Sequence, residues 1–206
     1  MADTKAHWDA IYATKEVTQV SWYQPHATHS LRSIQRHAPD RETPILDVGS
    51  GATALVGDLL QAGYRRLTVL DVSATAVGIA QQRLAERAAG VTWLVADVTT
   101  VALPAASVSA WHDRAVFHFL ADADDRRRYL DILRDAVAPG GVVIMATFAP
   151  DGPTQCSGLD VVRYDPQDLH AVLGPGFELL ETADETHRTP GGGEQKFIYV
   201  CSRKAR

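Results

Sequence analysis

Cysteine is scarce: Cys156 and Cys201 alone cannot build a disulfide framework, and neither stands at a metal-ligand spacing. Long apolar runs are missing as well. No segment approaches the roughly 18 apolar residues of a membrane span, and the opening MADTKAHWDA has no apolar signal core. Basic charge is short too, since 20 Lys+Arg face 25 Asp+Glu for a net charge of -5, which leaves no basic footprint for displacing counterions from nucleic acid or an anionic membrane. No His-Cys-Asp cluster has zinc spacing. These absences predict a cytoplasmic protein with no bound metal, no nucleic-acid partner and no membrane partner, and a monomer is expected because no exposed helical seam stands out. What is present, 46% hydrophobic residues in 206, is enough for one well-buried core and short for two.

From Pro44 onward, short apolar runs alternate with longer stretches whose apolar residues recur at spacings of three and four. ILDV (45 to 48), LTVLDV (67 to 72), VTWLVADV (91 to 98), VSAWH (108 to 112) and GVVIMATF (141 to 148) read as strands. TALVGDLLQAG, TAVGIAQQRLAERAAG and RRRYLDILRDAVAPG read as the helices between them, which implies a mostly parallel α/β sheet covered on both sides. Ser73 is placed to cap a helix running to Ala89 before Gly90, and Asp165-Pro166 to open a short helix through Leu173. FELLETADETH and QKFIYVCS, joined by RTPGGGE, have no room for a crossover helix and predict an antiparallel hairpin at one side of the sheet. Residues 1–43 read as a helical arm studded with Trp8, Tyr12, Trp22 and Tyr23, either packed on the sheet or serving as a lid over residues 44–206.

The first strand runs into ILDVGSGATALV, where Gly49 and Gly51 permit a tight turn and close ligand approach. Gly49, Gly51 and Ala54 also satisfy the dinucleotide pattern G-x-G-x-x-A, so NAD stays open as a cofactor. Three successive strands end in an acid. Asp47 closes the first; Asp71 closes the second, placed to accept ribose hydroxyls; Asp97 follows the third, placed beside an adenine with the Val98 amide. A pyrophosphate disfavours an adjacent carboxylate, whereas a cofactor carrying an ammonium and a sulfonium is suited to Asp47. That charge argument and the terminal hairpin favour S-adenosylmethionine.

ILDVGSGATALV, LTVLDVS, VADVT and VAPGGVVIMATF resemble the ordered motifs of class I S-adenosylmethionine-dependent methyltransferases, over residues 40 to 202. The resemblance implies a Rossmann-like three-layer sandwich with seven strands and an antiparallel last strand. It also implies Asp47, Gly49, Ser50 and Gly51 near the methionyl group, Asp71 and Val72 at the ribose, and Asp97 and Val98 at the adenine. Thr53 stands where the family often has a third glycine, and is counted with the cofactor residues. WHDRAVFHFL, HWDAIYATKEVTQVSWYQP and CSGLDVVRYDP look like a bacterial branch of the family, somewhat similar to thiopurine methyltransferase-like proteins.

VSAWHDRAVFHF puts three ionisable side chains in the middle of an apolar run, where unpaired charge is costly. As the end of a strand beside the glycine loop it lies at a topological switch point, so His112, Asp113 and His118 are the candidate proton-handling residues and Arg114 a candidate acceptor contact. Trp22, Tyr23, Arg163 and His187 complete the candidate acceptor wall. WHDR occupies the place where relatives that methylate base amino groups carry an N-P-P-Y-type tetrapeptide, which points to a small-molecule nucleophile. A protein side chain, NAD-dependent oxidation and a silent cofactor-binding module remain as alternatives.

Overall fold

The computed structural model describes residues 4–52 and 54–206. The arm holds α1 (Thr4–Thr14), a 3-10 turn (Val17–Gln19) and α2 (Thr28–His37). There follow β1 (Ile45–Val48), α3 (Leu55–Gln61), β2 (Leu67–Asp71), α4 (Ala74–Leu84), β3 (Val91–Val95), β4 (Val108–Arg114), α5 (Ala123–Ala136) and β5 (Val137–Phe148). A minor ribbon of β6 (Gln155–Cys156) and β7 (Leu159–Asp160) precedes α6 (Pro166–Ala171), β8 (Phe177–Arg188) and β9 (Glu194–Lys204).

Seven strands form one sheet in the order β3-β2-β1-β4-β5-β9-β8. Neighbouring pairs from β3 through β5 are parallel, and β9 runs antiparallel to both β5 and β8. The expected hairpin therefore inserts its second strand between β5 and its first. Order reverses at β1, whose neighbours are β2 and β4, so a crevice opens at their carboxyl ends.

Each face of the sheet carries its own core, because alternate residues of a strand point opposite ways. Ile45, Val69, Ala110, Ile144 and Tyr199 pack with Ile34 of α2 and Leu55 and Leu59 of α3. Leu46, Leu70, Trp111, Val143 and Met145 pack with Tyr129 and Leu133 of α5 and Leu169 of α6. Three helices start at side-chain caps: Ser73 accepts from Ala76 N–H, Asp122 from Asp124 and Asp125 N–H, and Asp165 from Asp168 N–H.

Several boundaries differ from the sequence expectation: the third strand ends at Val95 and not Val98, the fourth runs on to Arg114, the short helix from Pro166 stops at Ala171, and two further differences are larger. The helix expected to reach Ala89 stops at Leu84, where Ala85 turns to φ 52° and residues 85–90 wind as a 3-10 helix. Beyond Leu84 only Ala88 and Ala89–Gly90's neighbour Val91 turn toward protein, so no apolar stripe holds a longer α-helix to the sheet. The strand expected to begin at Gly141 already begins at Val137, with the register shifting between Val108 and Ala110 as the Pro139-Gly140-Gly141 stretch passes. Among the described residues no helix is long and apolar enough to cross a membrane.

Candidate active site

Parallel register sets Asp47 beside His112 and Val48 beside Asp113. Asp47 and His112 thus project from the same face, toward α2 and the arm. The His112 Nδ1 lies 2.7 Å from Asp47 Oδ1, and its Nε2 lies 2.8 Å from Ser30 Oγ on α2. All three residues are buried. A carboxylate only accepts, so Nδ1 carries the proton donated to Asp47.

Arg114 follows two residues on, again on that face, and reaches past Ala146 to β9 and β8. Its Nε donates to Tyr199 Oη at 3.0 Å, its Nη2 lies 3.3 Å from Glu185 Oε2, and its guanidinium sits 4.1 Å above the Phe197 ring. Tyr199 Oη donates to Glu185 Oε2 at 3.0 Å, and Gln24 of the arm donates to Glu185 Oε1. Burial alone would raise the Glu185 carboxyl; Arg114, with the Tyr199 and Gln24 bonds, outweighs it and holds the group below its usual range. Burial and, more weakly, the Glu185 charge push the Tyr199 hydroxyl up to about 12 although Arg114 opposes them.

Of these groups Gln24, Asp47, His112 and Arg114 line a narrow cavity of about 50 Å³. Its floor is Asp47, Gly49, Ser50, His112 and Arg114, and its roof is the arm, with Tyr12, Val20, Trp22, Tyr23 and Gln24. Roof packing is aromatic: Trp8 meets Trp22 edge-on at 5.7 Å and Phe119 at 5.1 Å, and Tyr12 meets Trp22 at 6.1 Å. Asp47 keeps Oδ2 buried with no hydrogen-bond partner among the described residues, an acceptor suited to a cationic donor in the cavity.

Beside this cavity the glycine loop turns through left-handed φ at Gly49 (60°) and Gly51 (57°). Gly51 N–H donates to Asp71 Oδ2 at 2.7 Å and Ser73 N–H to Asp71 Oδ1 at 2.8 Å. Burial pushes the Asp71 carboxyl up to about 6; the two backbone donors pull against it, and the charges of Asp47 and Asp9 add to the rise. Asp9 of α1 accepts from Ser73 Oγ at 2.7 Å and from Thr75 N–H at 3.1 Å, which fastens the arm to the start of α4. Val72 is half-buried and Val98 buried. Asp97 is exposed, accepting from Thr99 N–H and Oγ1 at 2.8 and 2.7 Å, beyond the closed cavity. Thr53 lies outside the described residues.

Four sequence expectations need correction. Asp113 faces the opposite core, where it accepts from Val116 and Phe117 N–H and from Tyr129 Oη at 2.6 Å, so it braces the turn after β4 and does not meet an acceptor. His118 is fully buried among Phe119 and Phe148, and burial with the nearby Arg114 charge lowers its imidazole to about 3, which makes it a packing residue and a poor base. Arg163 is exposed and donates to the Pro150 and Gly152 carbonyls, holding its own loop. His187 is buried with Nε2 2.7 Å from the Ser21 carbonyl, tying β8 to the arm away from the cavity wall.

Sequence reasoning missed Ser30, Gln24, Glu185 and Tyr199. Ser30 carried a signal: it sits four residues before Ile34 on one face of THSLRSIQRH, and a polar side chain on an apolar stripe must find a partner. The other three depend on β8 and β9 folding beside β5, which the local sequence does not state.

Residues 45–141 match the family described as a methyltransferase domain. The eEF1A lysine and N-terminal methyltransferase of Danio rerio is 24% identical over 200 residues, 96% of this chain and 28% of its own length. An uncharacterized methyltransferase of Mycobacterium tuberculosis is 35% identical over 104 residues, covering 50% of each chain. The chain therefore spans half or less of the length of these two curated relatives. Among solved structures, the N-methyltransferase NodS from Bradyrhizobium japonicum, in complex with S-adenosyl-L-homocysteine, superposes with a TM-score of 0.71 at 15% identity. That match covers 99% of this chain and 100% of the other, a shared fold from end to end.

Proposed function

We propose that the whole protein transfers a methyl group from S-adenosylmethionine to a nucleophilic atom of a small molecule. Residues 45–141 are a methyltransferase domain of the class I S-adenosylmethionine-dependent kind, and S-adenosylmethionine is the cofactor of that domain. When bound, this cofactor supplies a methyl on a sulfonium, which an aligned nucleophile takes. The residues present fit it. Asp47 Oδ2 is a buried acceptor without a partner among the described residues, beside two left-handed glycines, which suits an ammonium group and close backbone approach. In this reading Gly49, Ser50 and Gly51 meet the methionyl part, Asp71 and Val72 the ribose, and Asp97 and Val98 the adenine.

The observation that carries the small-molecule reading is the closed arm. Trp22, Tyr23 and Gln24 roof Asp47, His112 and Arg114, leaving about 50 Å³, whereas ligand pockets run to about 300–1,000 Å³. In this reading the arm, over residues 4–43, lifts to load the site and then closes over it, shielding the reaction from water. A closed, aromatic roof suits a compact acceptor held by Trp22, Tyr23 and Arg114. The likeness to thiopurine methyltransferase-like proteins adds a soft atom, such as a thiol, to the acceptors worth trying.

A second reading, a protein side chain, is favoured by one observation: the Danio rerio relative that covers 96% of this chain is named for methylating eEF1A lysine. Incubation with methyl-labelled S-adenosylmethionine, a panel of small thiols, amines and hydroxyl compounds, and purified eEF1A separates the two. Label in the small-molecule fraction is the expected result. Label on a protein lysine alone overturns the first reading, and binding of NAD in place of S-adenosylmethionine overturns both.

Asp71 gives a direct check on the cofactor. Asp71→Ala is expected to weaken S-adenosylmethionine binding by about 1–3 kcal/mol, the cost of losing a buried hydrogen-bonded acceptor. Ribose hydroxyls need the carboxylate form. Because Asp71 is raised to about 6, affinity is expected to fall as pH drops through that value, by up to about tenfold per unit, and the slope should flatten in Asp71→Ala. Calorimetric titration of both proteins across this range checks it; unchanged affinity in the folded variant removes Asp71 from the ribose.

A further inference from the structure

Arg114 is tied along one edge of its guanidinium and open along the other. Cross-strand register puts Arg114, Ala146 and Tyr199 in one row over β4, β5 and β9, and the small Ala146 lets the arginine reach Tyr199 and, beyond it, Glu185 of β8. Its Nε donates to Tyr199 Oη at 3.0 Å, its Nη2 lies 3.3 Å from Glu185 Oε2, and the Phe197 ring covers one face at 4.1 Å. Nη1 donates to no group among the described residues. The side chain is 10% exposed and lines the cavity, so it brings a fixed donor to whatever fills that space. His112 on the same wall is already engaged, by Asp47 at Nδ1 and Ser30 at Nε2.

Charge decides which ligand atom suits that donor. The Glu185 side chain is 8% exposed, and Arg114 with its hydrogen bonds keeps it a carboxylate, so the guanidinium meets its counter-charge inside the protein. Asp47 Oδ2 stands ready for the ammonium of the cofactor. With both pairs formed, the carboxylate and the guanidinium of the cavity lining are each matched. An acceptor carboxylate entering there is stripped of water and finds no cation of its own, and an acceptor ammonium meets Arg114. A neutral oxygen or ring nitrogen accepts from Nη1 without either penalty. Discrimination of this kind rests on what the site repels as much as on what it attracts.

We propose that Glu185 is a positioning residue that sets specificity: by fixing Arg114 and cancelling its charge, it selects a methyl acceptor that is uncharged outside its reacting atom and offers Arg114 Nη1 a carbonyl oxygen or ring nitrogen. The aromatic roof of Trp22 and Tyr23 suits a flat one. This inference rests on the small-molecule reading.

Its test uses para-substituted aromatic pairs of nearly equal shape that differ in charge: mercaptobenzamide and mercaptobenzoate, aminobenzamide and aminobenzoate, hydroxybenzamide and hydroxybenzoate. Calorimetric titration of the protein loaded with S-adenosylhomocysteine gives the affinity of each member, and turnover with methyl-labelled S-adenosylmethionine gives kcat/KM. In the parent the amide of a pair is expected to bind about tenfold or more tighter than the carboxylate. In Glu185→Gln the amide oxygen still accepts from Arg114 and Tyr199, and Gln24 can turn its own amide to meet the new N–H, so shape is kept while the Arg114 charge is left unmatched. The carboxylate is then expected to gain about tenfold or more on the amide. The double variant Arg114→Gln/Glu185→Gln is expected to return the preference to the amide. A merely structural Glu185 would weaken both members alike and leave their ratio unmoved. Equal affinities in the parent, or a preference for the carboxylate, overturn the proposal without need of a variant that folds. A ratio unchanged in folded Glu185→Gln overturns it as well. Absence of both binding and methylated product across every pair overturns the small-molecule reading, and this inference with it.

Discussion

Asp113→Ala is expected to cost about 3–5 kcal/mol of stability while leaving cofactor affinity close to that of the parent wherever the variant is folded. The carboxylate serves three donors in a fully buried position: Val116 N–H at 2.9 Å, Phe117 N–H at 3.1 Å and Tyr129 Oη at 2.6 Å. Tyr129 also accepts from Trp111 Nε1 at 3.0 Å, so the loss extends to the largest side chain of that core. Truncation strands two backbone donors and loosens the turn behind β4. Urea unfolding measures the cost and ligand titration measures the affinity. A stable variant with lost activity would return Asp113 to the catalytic residues.

The same residue has a pH signature. Burial pushes the Asp113 carboxyl from 3.8 to about 6; its bonds from Tyr129 and Val116 and the His112 charge only partly offset this. Between those two values the folded protein binds more protons at this position than the unfolded chain does. Stability from this residue is therefore complete below the lower value and declines as pH rises through the upper one. Asp113→Asn, neutral and of the same shape, is expected to cost less than Asp113→Ala and to remove that decline.

Asp113 also shows what the sequence could and could not tell. His112, Asp113 and Arg114 read along the chain as one cluster of charge at a single crevice edge. Strand alternation divides it: His112 and Arg114 face the cavity, and Asp113 faces α5. Period two divides the three only once the strand is carried past His112 to Arg114, two residues beyond the expected VSAWH. What was not legible is the partner set. Asp47 meets His112 through the β1–β4 register, and Arg114 meets Tyr199 and Glu185 only because β9 inserts between β5 and β8. Strand order is a long-range property, available beforehand only through family resemblance.

The parts read correctly are those encoded locally. Hydrophobic periodicity gave the five parallel strands and the helices between them, turn chemistry gave the terminal hairpin, and Ser73 and Asp165 gave two helix starts. The glycine loop was legible for the same reason. His118 misled because FHF flanked by apolar residues has the same appearance in a wall and in a core, and only burial separates them.

Gly49→Ala is expected to lose about 2–4 kcal/mol of stability and to weaken S-adenosylmethionine binding about 10- to 100-fold, the sum of a strained turn and an overpacked contact. Gly49 sits at φ 60°, where a side chain is disfavoured. A Cβ there would fall 1.9 Å from Val116 Cγ2. Val116 cannot retreat freely, since it is β-branched and its N–H is held by Asp113. The clash therefore couples the glycine loop to the turn behind β4, so cofactor floor and strand end move together. Val116→Ala in the Gly49→Ala background removes the offending methyl group and is expected to restore part of the stability, leaving the backbone strain of about 1–2 kcal/mol. Denaturant unfolding of the single and double variants gives the coupling between the two positions directly. Additive losses would mean the loop tolerates the methyl by moving elsewhere; recovery in the double variant would locate the cost at the contact between Gly49 and Val116.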